Sequence, residues 1–124
     1  MIYLDTNVLV RLGARDTRWL STAARRAIER GEVLASPAAV LELELLHEIG
    51  LIKPGASKLL DWLAADIGLR ICDMPFRTVV EHSLREGWSR DPFDRLIVGN
   101  AKAANAALVT KDERILRNYS RAIW

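Results

Sequence analysis

The sequence predicts an α/β fold in which helices pack on the faces of a mainly parallel central sheet. Short apolar runs alternate with helical patterns along the whole chain, and one or two helices separate each strand from the next. Parallel strands need such crossovers, whereas antiparallel strands can be joined by short turns. With 124 residues, 50% of them hydrophobic and 27% charged, the composition is that of one globular domain over residues 1–124.

The amino-terminal half is predicted to hold two strands and four helices. MIYL is an apolar run typical of a strand, and TNVLVRL follows it as a short helix. One longer helix is predicted for TRWLSTAARRAIERG, with Gly31 as its stop, before EVLAS forms the second strand. PAAVLELELLHEIG and GASKLLDWLAADIG have helical patterns, and each ends at a glycine. These two helices form the crossover to the third strand.

The carboxyl-terminal half is predicted to complete the sheet. LRICDM forms the third strand, and the helix FRTVVEHSLREG precedes another helix that starts at DPFDR. There Asp91 is a preferred N-cap and Pro92 suits the first helical position. AALVT is the fourth strand, KDERILRN a short helix and SRAIW a possible last strand.

Three acids are predicted to share one edge of this sheet. The carboxyl ends of the strands and the amino ends of the helices meet at the edge where open α/β sheets bind ligands. Asp5 follows the first strand, Asp112 follows the fourth, and Asp94 lies in the first turn of the DPFDR helix. Helix capping could explain each acid alone, but their joint occurrence favours a site.

A fourth acid, Glu42, is predicted to point inward. The apolar positions of its helix form a stripe at Ala38, Leu45, Leu46 and Ile49. At about 100° per residue, Glu42 lies in the middle of that stripe, whereas Glu44 projects to the opposite side as an ordinary solvated acid. An inward carboxylate is costly without a cation or several donors. The alternative explanation for Glu42 is a buried ion pair with an arginine.

The acids predict a hard divalent cation. Four neighbouring carboxylates repel one another unless positive charge is supplied, and oxygen ligands favour Mg²⁺ or Mn²⁺. A single cysteine, Cys72, expected to be a small buried hydrophobe, and only two histidines, His47 and His82, argue against zinc. Such a cation suits phosphodiester cleavage, and no nucleophile elbow, glycine-rich phosphate loop or Cys-His pair offers a competing chemistry.

Charge and hydropathy limit the kinds of partner that the chain is expected to have. Residues 1–31 hold six arginines against three acids, whereas the rest of the chain is close to neutral. Guanidinium groups pair with phosphate oxygens, so this segment fits contact with phosphate, although a single arginine is more often part of a solvated face. No stretch approaches the roughly 18 apolar residues of a membrane span. With Asp5 so early in the chain, no signal peptide is evident, and a cytoplasmic location is expected.

Four motifs resemble, in their order and spacing, the PIN domain, and within it the VapC-type toxins of toxin–antitoxin pairs. The motifs are LDTN, SPAAVLELE, DPFDRLIVGNA and LVTKDERI. The resemblance covers essentially the whole chain and implies a three-layer α/β/α fold. It also implies a Mg²⁺- or Mn²⁺-dependent ribonuclease that cuts RNA with metal-activated water. It carries the catalytic, metal-binding acids over to Asp5, Glu42, Asp94 and Asp112. It carries supporting positions over to Asp91, Thr6, Asn7 and Thr110.

The resemblance also implies partners, namely an RNA substrate, a small antitoxin that blocks the site, and a second copy of the chain in a homodimer. Many relatives carry a histidine shortly before DPFDR, where this chain has Ser89 and Arg90. Any substrate contact from that segment therefore stays open. Tryptophans in amphipathic helices are usually core, so none of the four is assigned to an interface. They are Trp19, Trp62, Trp88 and Trp124.

Two other functions remain alternatives. A haloacid-dehalogenase-like phosphatase needs a second aspartate two residues after Asp5, where this chain has Asn7. A noncatalytic module, either receiver-like or RNA-binding, is the other possibility. A receiver needs an acidic pair after the first strand, which Asp5 alone answers, although Asp73 and Lys111 suit its other requirements.

Overall fold

Five parallel strands form the central sheet of the computed structural model, which describes residues 1–124. The strands are β1 (Ile2–Leu4), β2 (Val33–Ala35), β3 (Arg70–Ile71), β4 (Ala107–Val109) and β5 (Ala122–Ile123). Their spatial order is β3-β2-β1-β4-β5, and every neighbouring pair is parallel. In the central strand, Ile2 lies opposite Val33 on one side and Ala107 on the other. The five predicted strands and the predicted α/β class are confirmed.

Seven α-helices connect the strands and cover the sheet, which confirms the three-layer α/β/α arrangement. They are α1 (Thr6–Gly13), α2 (Thr22–Arg30), α3 (Pro37–Glu48), α4 (Ala56–Ile67), α5 (Phe76–Ser83), α6 (Pro92–Ala103) and α7 (Glu113–Asn118). Helix α4 ends at Gly68, whose φ of +69° is a left-handed conformation that glycine adopts without a steric penalty. No helix combines the length and the hydropathy that a membrane crossing requires.

The long helix predicted for TRWLSTAARRAIERG is wrong in its first third. A single 3₁₀ turn, Thr17–Trp19, comes first, and Leu20 is in an extended conformation. Ser21 then caps α2, because its hydroxyl accepts the amide N–H of Ala24 at 3.0 Å. A serine hydroxyl that satisfies a free helix amide favours a new helix start over a continuous helix.

The predicted apolar stripe of α3 is also wrong. Ala39 and Leu43 are its fully buried residues, whereas Leu45 and Ile49 are 38% and 69% exposed. Glu44 is not an ordinary solvated acid, because its Oε1 accepts the N–H of Ala56 at 3.1 Å. That amide opens α4, whose N-cap is a glycine without a side-chain acceptor, so Glu44 joins the two helices.

The core lies on both sides of the three central strands. Residues of β1, β2 and β4 belong to one cluster of 26 buried hydrophobic side chains, which continues into α1, α3, α4 and α6. Strands that are buried on both faces have continuous apolar sequences. This property explains why IYL and ALV could be predicted as strands from the sequence.

The chain order of the strands locates the crevice of the sheet. β1 pairs with β2 on one side and with β4 on the other, so the connections leave β1 and β4 in opposite directions. Ligands of open α/β sheets bind outside the carboxyl ends of strands at such a switch point. Asp5 directly follows β1, and its N–H donates to the carbonyl of Val109 at the end of β4 at 3.0 Å.

Candidate active site

Asp5 is the most deeply buried of the predicted acids, with 6% of its surface exposed. It caps α1, and its Oδ1 accepts the N–H of Thr6 at 2.8 Å. Its Oδ2 accepts the hydroxyl of Thr110 at 2.7 Å. Burial raises the pKa of Asp5, the two hydrogen bonds offset part of this rise, and the charges of Asp112 and Asp91 add to it.

Asp112 and Asp91 each begin a helix. Oδ1 of Asp112 accepts the N–H groups of Arg114 at 2.8 Å and Ile115 at 3.1 Å, which caps α7. Oδ1 of Asp91 accepts the N–H of Phe93 at 2.8 Å, which caps α6. Both acids therefore have the capping role that the sequence allowed. Capping leaves the other carboxylate oxygen available for a ligand.

Asp94 lies in the first turn of α6 and is half-buried. Burial and, after it, the charge of Asp91 raise the pKa of Asp94 to about 7. This rise includes smaller contributions from the charges of Asp5, Asp112 and Glu42, and no hydrogen-bond donor offsets it. The structure therefore brings Asp94 within electrostatic range of all the other predicted acids.

Glu42 is half-buried beside the same edge. Burial is the main cause of its raised pKa, and the charges of Asp5 and Asp91 add to the rise. The Thr6 hydroxyl faces Glu42 and offsets part of it. Thr6 Oγ1 is buried and forms no hydrogen bond of normal distance and angle, so this contact is weaker than a hydrogen bond. The alternative of an arginine ion pair does not apply, since none of the five ion pairs includes Glu42.

Among the remaining predicted positions, Thr110 is central and Asn7 is not. Thr110 is fully buried, and its hydroxyl also accepts the N–H of Asp112 at 3.0 Å. Asn7 is exposed and contributes no side-chain hydrogen bond. In the segment before DPFDR, Ser89 is buried, and its Oγ accepts the N–H of Asp91 at 3.1 Å. Ser89 therefore orients the start of α6, while Arg90 is exposed.

The donor set suits a hard cation bound partly through water. All the predicted ligands are carboxylates, and none of them takes part in an ion pair that would neutralise its charge. However, no group of three or more His, Cys, Asp or Glu side chains is arranged to hold a metal ion. Mg²⁺ is usually bound through one or two carboxylates and keeps several waters, so the residues fit this mode of binding.

Several supporting contacts had no sequence pattern that could reveal them. Arg95 donates to the carbonyls of Ser83 at 3.2 Å and Leu84 at 3.3 Å, which ties α6 to the end of α5. Glu86 is 1% exposed and pairs with Lys102. Both sets of partners are distant in sequence. Cys72 is half-buried and not buried as predicted, and its Sγ accepts the Tyr3 hydroxyl at 3.0 Å.

Several solved structures that share this fold are described as VapBC or toxin–antitoxin complexes. VapBC2 from Rickettsia felis, bound to a DNA fragment from the promoter, is 21% identical with a TM-score of 0.72, over 100% of this chain and 98% of that chain. A toxin–antitoxin complex from Klebsiella pneumoniae is 16% identical with a TM-score of 0.67, over 100% and 97%. DNA-bound VapBC from Salmonella typhimurium is 21% identical with a TM-score of 0.62, over 97% and 90%. At these identities the likeness concerns the fold.

Sequence comparison identifies the family directly. No curated protein sequence matches the chain significantly. The sequence model of the PIN domain matches residues 2–121, which include every acid described above. The chain therefore belongs to the PIN domain family.

Proposed function

We propose that this chain is a cytoplasmic Mg²⁺- or Mn²⁺-dependent endoribonuclease and the toxin of a VapBC-type toxin–antitoxin pair. In this proposal Asp5, Glu42, Asp94 and Asp112 form the catalytic, metal-binding site. The observation that carries it is the set of mutually repelling carboxylates at the switch point of the sheet, none of them neutralised by a protein cation. Repulsion of this kind is costly unless a bound cation relieves it.

Each acidic residue of the site would have a separate role in the reaction. A divalent cation, when bound, supplies a Lewis acid for the phosphodiester and lowers the pKa of an attacking water. Asp5 presents a carboxylate held in one orientation by Thr6 and Thr110. Asp94 presents a second carboxylate from the first turn of α6, and a bound cation would stabilise its ionised form against the neighbouring acids that raise its pKa. Glu42 faces the same space from α3 and adds negative charge to it.

The proposed protein partners are an antitoxin and a second copy of the chain. Three of the structures with this fold are described as VapBC or toxin–antitoxin complexes. One side of α3 and the loop after it expose large apolar side chains, which suits a protein interface. These are Leu41, Leu45, Ile49 and Leu51.

Cleavage of RNA tests the nuclease. Purified wild type should cut single-stranded or structured RNA with Mg²⁺ or Mn²⁺ and should lose this activity in EDTA. Asp5→Asn and Asp94→Asn should reduce cleavage by at least about a hundredfold, because each removes a charge from the site. Asp61→Asn is the matched control, since Asp61 is an exposed acid of α4 outside every ion pair. Equal cleavage by all four proteins would indicate a contaminating nuclease and overturn the proposal.

The phosphatase and receiver alternatives lack support from the geometry, and the cleavage assay distinguishes the nuclease from a noncatalytic RNA-binding module. A phosphatase with a second aspartate two residues after Asp5 would need an acid at the exposed Asn7. A receiver would need its phosphorylated aspartate near Asp5, but Asp73 follows β3, which β2 separates from β1. Neither arrangement accounts for Glu42 or for its electrostatic coupling to Asp5.

A further inference from the structure

Two partly exposed tryptophans pack together with two cations near them. Trp19 and Trp124 meet edge to face, with ring centroids 4.6 Å apart and ring planes at 64°. Lys111 Nζ lies 5.3 Å from the centroid of Trp19 and 5.7 Å from that of Trp124. The guanidinium carbon of Arg11 lies 5.2 Å from the Trp19 centroid, and its Nη1 also pairs with Asp16 Oδ2 at 2.9 Å. These four residues are named the tryptophan platform below.

The platform adjoins the acidic site through the backbone of β4 and β5. Lys111 directly follows Thr110, whose hydroxyl donates to Asp5 at 2.7 Å. The N–H of Thr110 donates to the carbonyl of Ile123 at 3.1 Å. This bond places Trp124, the next residue, at the same end of the sheet as Asp5. The platform therefore lies on the edge that carries the acids.

A further arginine lies beside the tryptophan platform. Trp19 belongs to the 3₁₀ turn, and Arg25 Nη2 donates to the carbonyl of Thr17 in that turn at 2.8 Å. All six arginines of residues 1–31 are exposed. A site built of carboxylates repels a polyanion, so an RNA strand needs cations beside the acids in order to approach them.

We propose that the tryptophan platform binds a nucleobase of single-stranded RNA beside the phosphodiester that enters the acidic site. This inference rests on the proposed ribonuclease function. Indole rings stack on bases of any sequence, and Lys111, which takes part in no ion pair, attracts the adjoining phosphate. Bases inside a duplex are already stacked, so the platform favours single strands. Both tryptophans also pack against the core. A role in packing alone predicts no effect on RNA affinity.

Fluorescence anisotropy of labelled RNA in EDTA, which prevents cleavage, tests the platform. The probe is a mixed-sequence strand of about 12 nucleotides, used single-stranded and as a duplex. Trp124 lies outside the helices and strands, which favours a folded Trp124→Ala variant. This variant should bind the single strand about 5- to 100-fold more weakly than wild type, while Trp124→Phe keeps most of the affinity. A thermal melt followed by circular dichroism checks that each variant is folded.

A second variant tests the platform without replacing a tryptophan that packs against the core. Lys111 is exposed, so Lys111→Gln should leave the fold intact, weaken binding and reduce the slope of log K against log salt by about 0.7. Trp62→Ala is the matched control, because Trp62 also has a cation near its ring, Lys58 Nζ at 5.4 Å. Trp62 lines a groove that contains no predicted acid. Its loss should change affinity less than about twofold.

The outcomes distinguish a failure of the platform proposal from a failure of the nuclease proposal. Unchanged affinity in both Trp124→Ala and Lys111→Gln overturns the platform, even where wild type cleaves RNA with Mg²⁺. Equal losses for single strand and duplex, or an equal loss in Trp62→Ala, also overturn it. Weaker binding of the single strand by Trp124→Ala and Lys111→Gln, with nearly unchanged binding by Trp62→Ala, supports the platform. If wild type shows this binding and does not cleave, the proposed nuclease fails and the platform stands as a single-strand site.

Discussion

Thr110 and Asp5 are 105 positions apart in the chain, and their side chains are joined by a 2.7 Å hydrogen bond. The same Thr110 hydroxyl accepts the N–H of Asp112 at 3.0 Å. One buried oxygen therefore sets the position of the acid after β1 and of the acid after β4. This arrangement explains why a short hydroxyl residue at position 110 matters for a site made of carboxylates.

Replacing Thr110 with valine tests this link. Valine has nearly the same shape but cannot donate to Asp5, so the buried carboxylate loses one of its two donors. A hydrogen bond to a charged group contributes about 1.5–3 kcal/mol, and we expect Thr110→Val to lower the free energy of unfolding by about that amount. Urea denaturation in EDTA measures the loss. RNA cleavage should fall at least about tenfold, because Asp5 is no longer oriented.

Thr110→Ser is the control for the link. Serine keeps the hydroxyl and loses only a methyl group, so it should retain most of the cleavage activity. Its stability should fall by about 1 kcal/mol, the cost of a buried methyl group. If serine and valine reduce cleavage equally, the hydroxyl is not what orients Asp5.

The strands and most helix starts could be predicted because their causes are local. Apolar runs mark strands that are buried on both faces, and Ser36, Asp91 and Asp112 cap helices that begin directly after them. The break at Ser21 escaped prediction, because the apolar residues around it continue a helical pattern. There a capping serine outweighed hydrophobic periodicity.

The acids of the site could be predicted from strand ends and helix starts, but their surroundings could not. Glu44 bonds to the amide of Ala56, 12 positions away, and Trp19 meets Trp124 from the opposite end of the chain. Such pairs depend on the spatial order of the strands, which no local pattern encodes. For the same reason, half-burial of Glu42 followed from tertiary packing and not from the apolar stripe proposed for α3.

Asp94 should make the metal-free protein less stable as the pH rises. Folding raises the pKa of Asp94 from its ordinary value of 3.8 to about 7. The folded state therefore binds this proton more tightly than the unfolded chain. The stabilisation is fully present below about pH 4 and is lost as the pH rises to about 7. Asp94→Asn lacks this dependence. Relative to wild type, its unfolding free energy should increase across this window by roughly 1–2 kcal/mol, allowing for solvent screening of a half-exposed group.

Urea denaturation in EDTA at several pH values measures this difference. Asp61→Asn is the control, and its difference from wild type should stay constant with pH. A constant difference for Asp94→Asn as well would contradict a raised pKa at Asp94.

Addition of Mg²⁺ or Mn²⁺ should stabilise wild type more at pH 8 than at pH 5.5. A cation binds the ionised carboxylates, and Asp5, Glu42 and Asp94 all have raised pKa values in the metal-free chain. At a hundred times the Kd the gain is about 2.7 kcal/mol. Thermal unfolding with and without the cation measures it. Asp5→Asn should lose most of this gain and Asp61→Asn none, whereas an equal gain in both would place the cation elsewhere.

The ion pair between the buried Glu86 and the one-third-exposed Lys102 should be sensitive to the loss of the lysine. Glu86 is 1% exposed, pairs with Lys102 and accepts a hydrogen bond from Trp88 Nε1. Lys102→Met leaves the carboxylate buried without a cation, so we expect a loss of about 3–5 kcal/mol in the free energy of unfolding. Adding Glu86→Gln to this variant should recover part of the loss. Denaturation of the two single variants and the double variant measures the coupling.

An exposed ion pair provides the comparison. The side chains of Arg77 and Glu81 are 92% and 60% exposed. Arg77→Met should therefore cost less than about 1 kcal/mol. A cost for Lys102→Met as small as this one would contradict a dependence of the buried Glu86 carboxylate on its lysine partner.

Gly99 should not tolerate a side chain, because the backbones of α5 and α6 lie close together there. A Cβ at this position would lie 2.2 Å from Ser83 Oγ, 2.9 Å from Ser83 N and 3.0 Å from Ser83 Cα. The backbone of α5 would have to move, so we expect Gly99→Ala to cost about 1–3 kcal/mol. Adding Ser83→Ala removes only the hydroxyl clash and should restore only part of that loss.

Gly87→Ala is the control, because a Cβ there meets nothing within 4 Å. Urea denaturation measures all three variants, and a Gly99→Ala variant as stable as Gly87→Ala would contradict the close packing. Because α6 carries Asp94, Gly99→Ala should also reduce RNA cleavage, while Gly87→Ala should not.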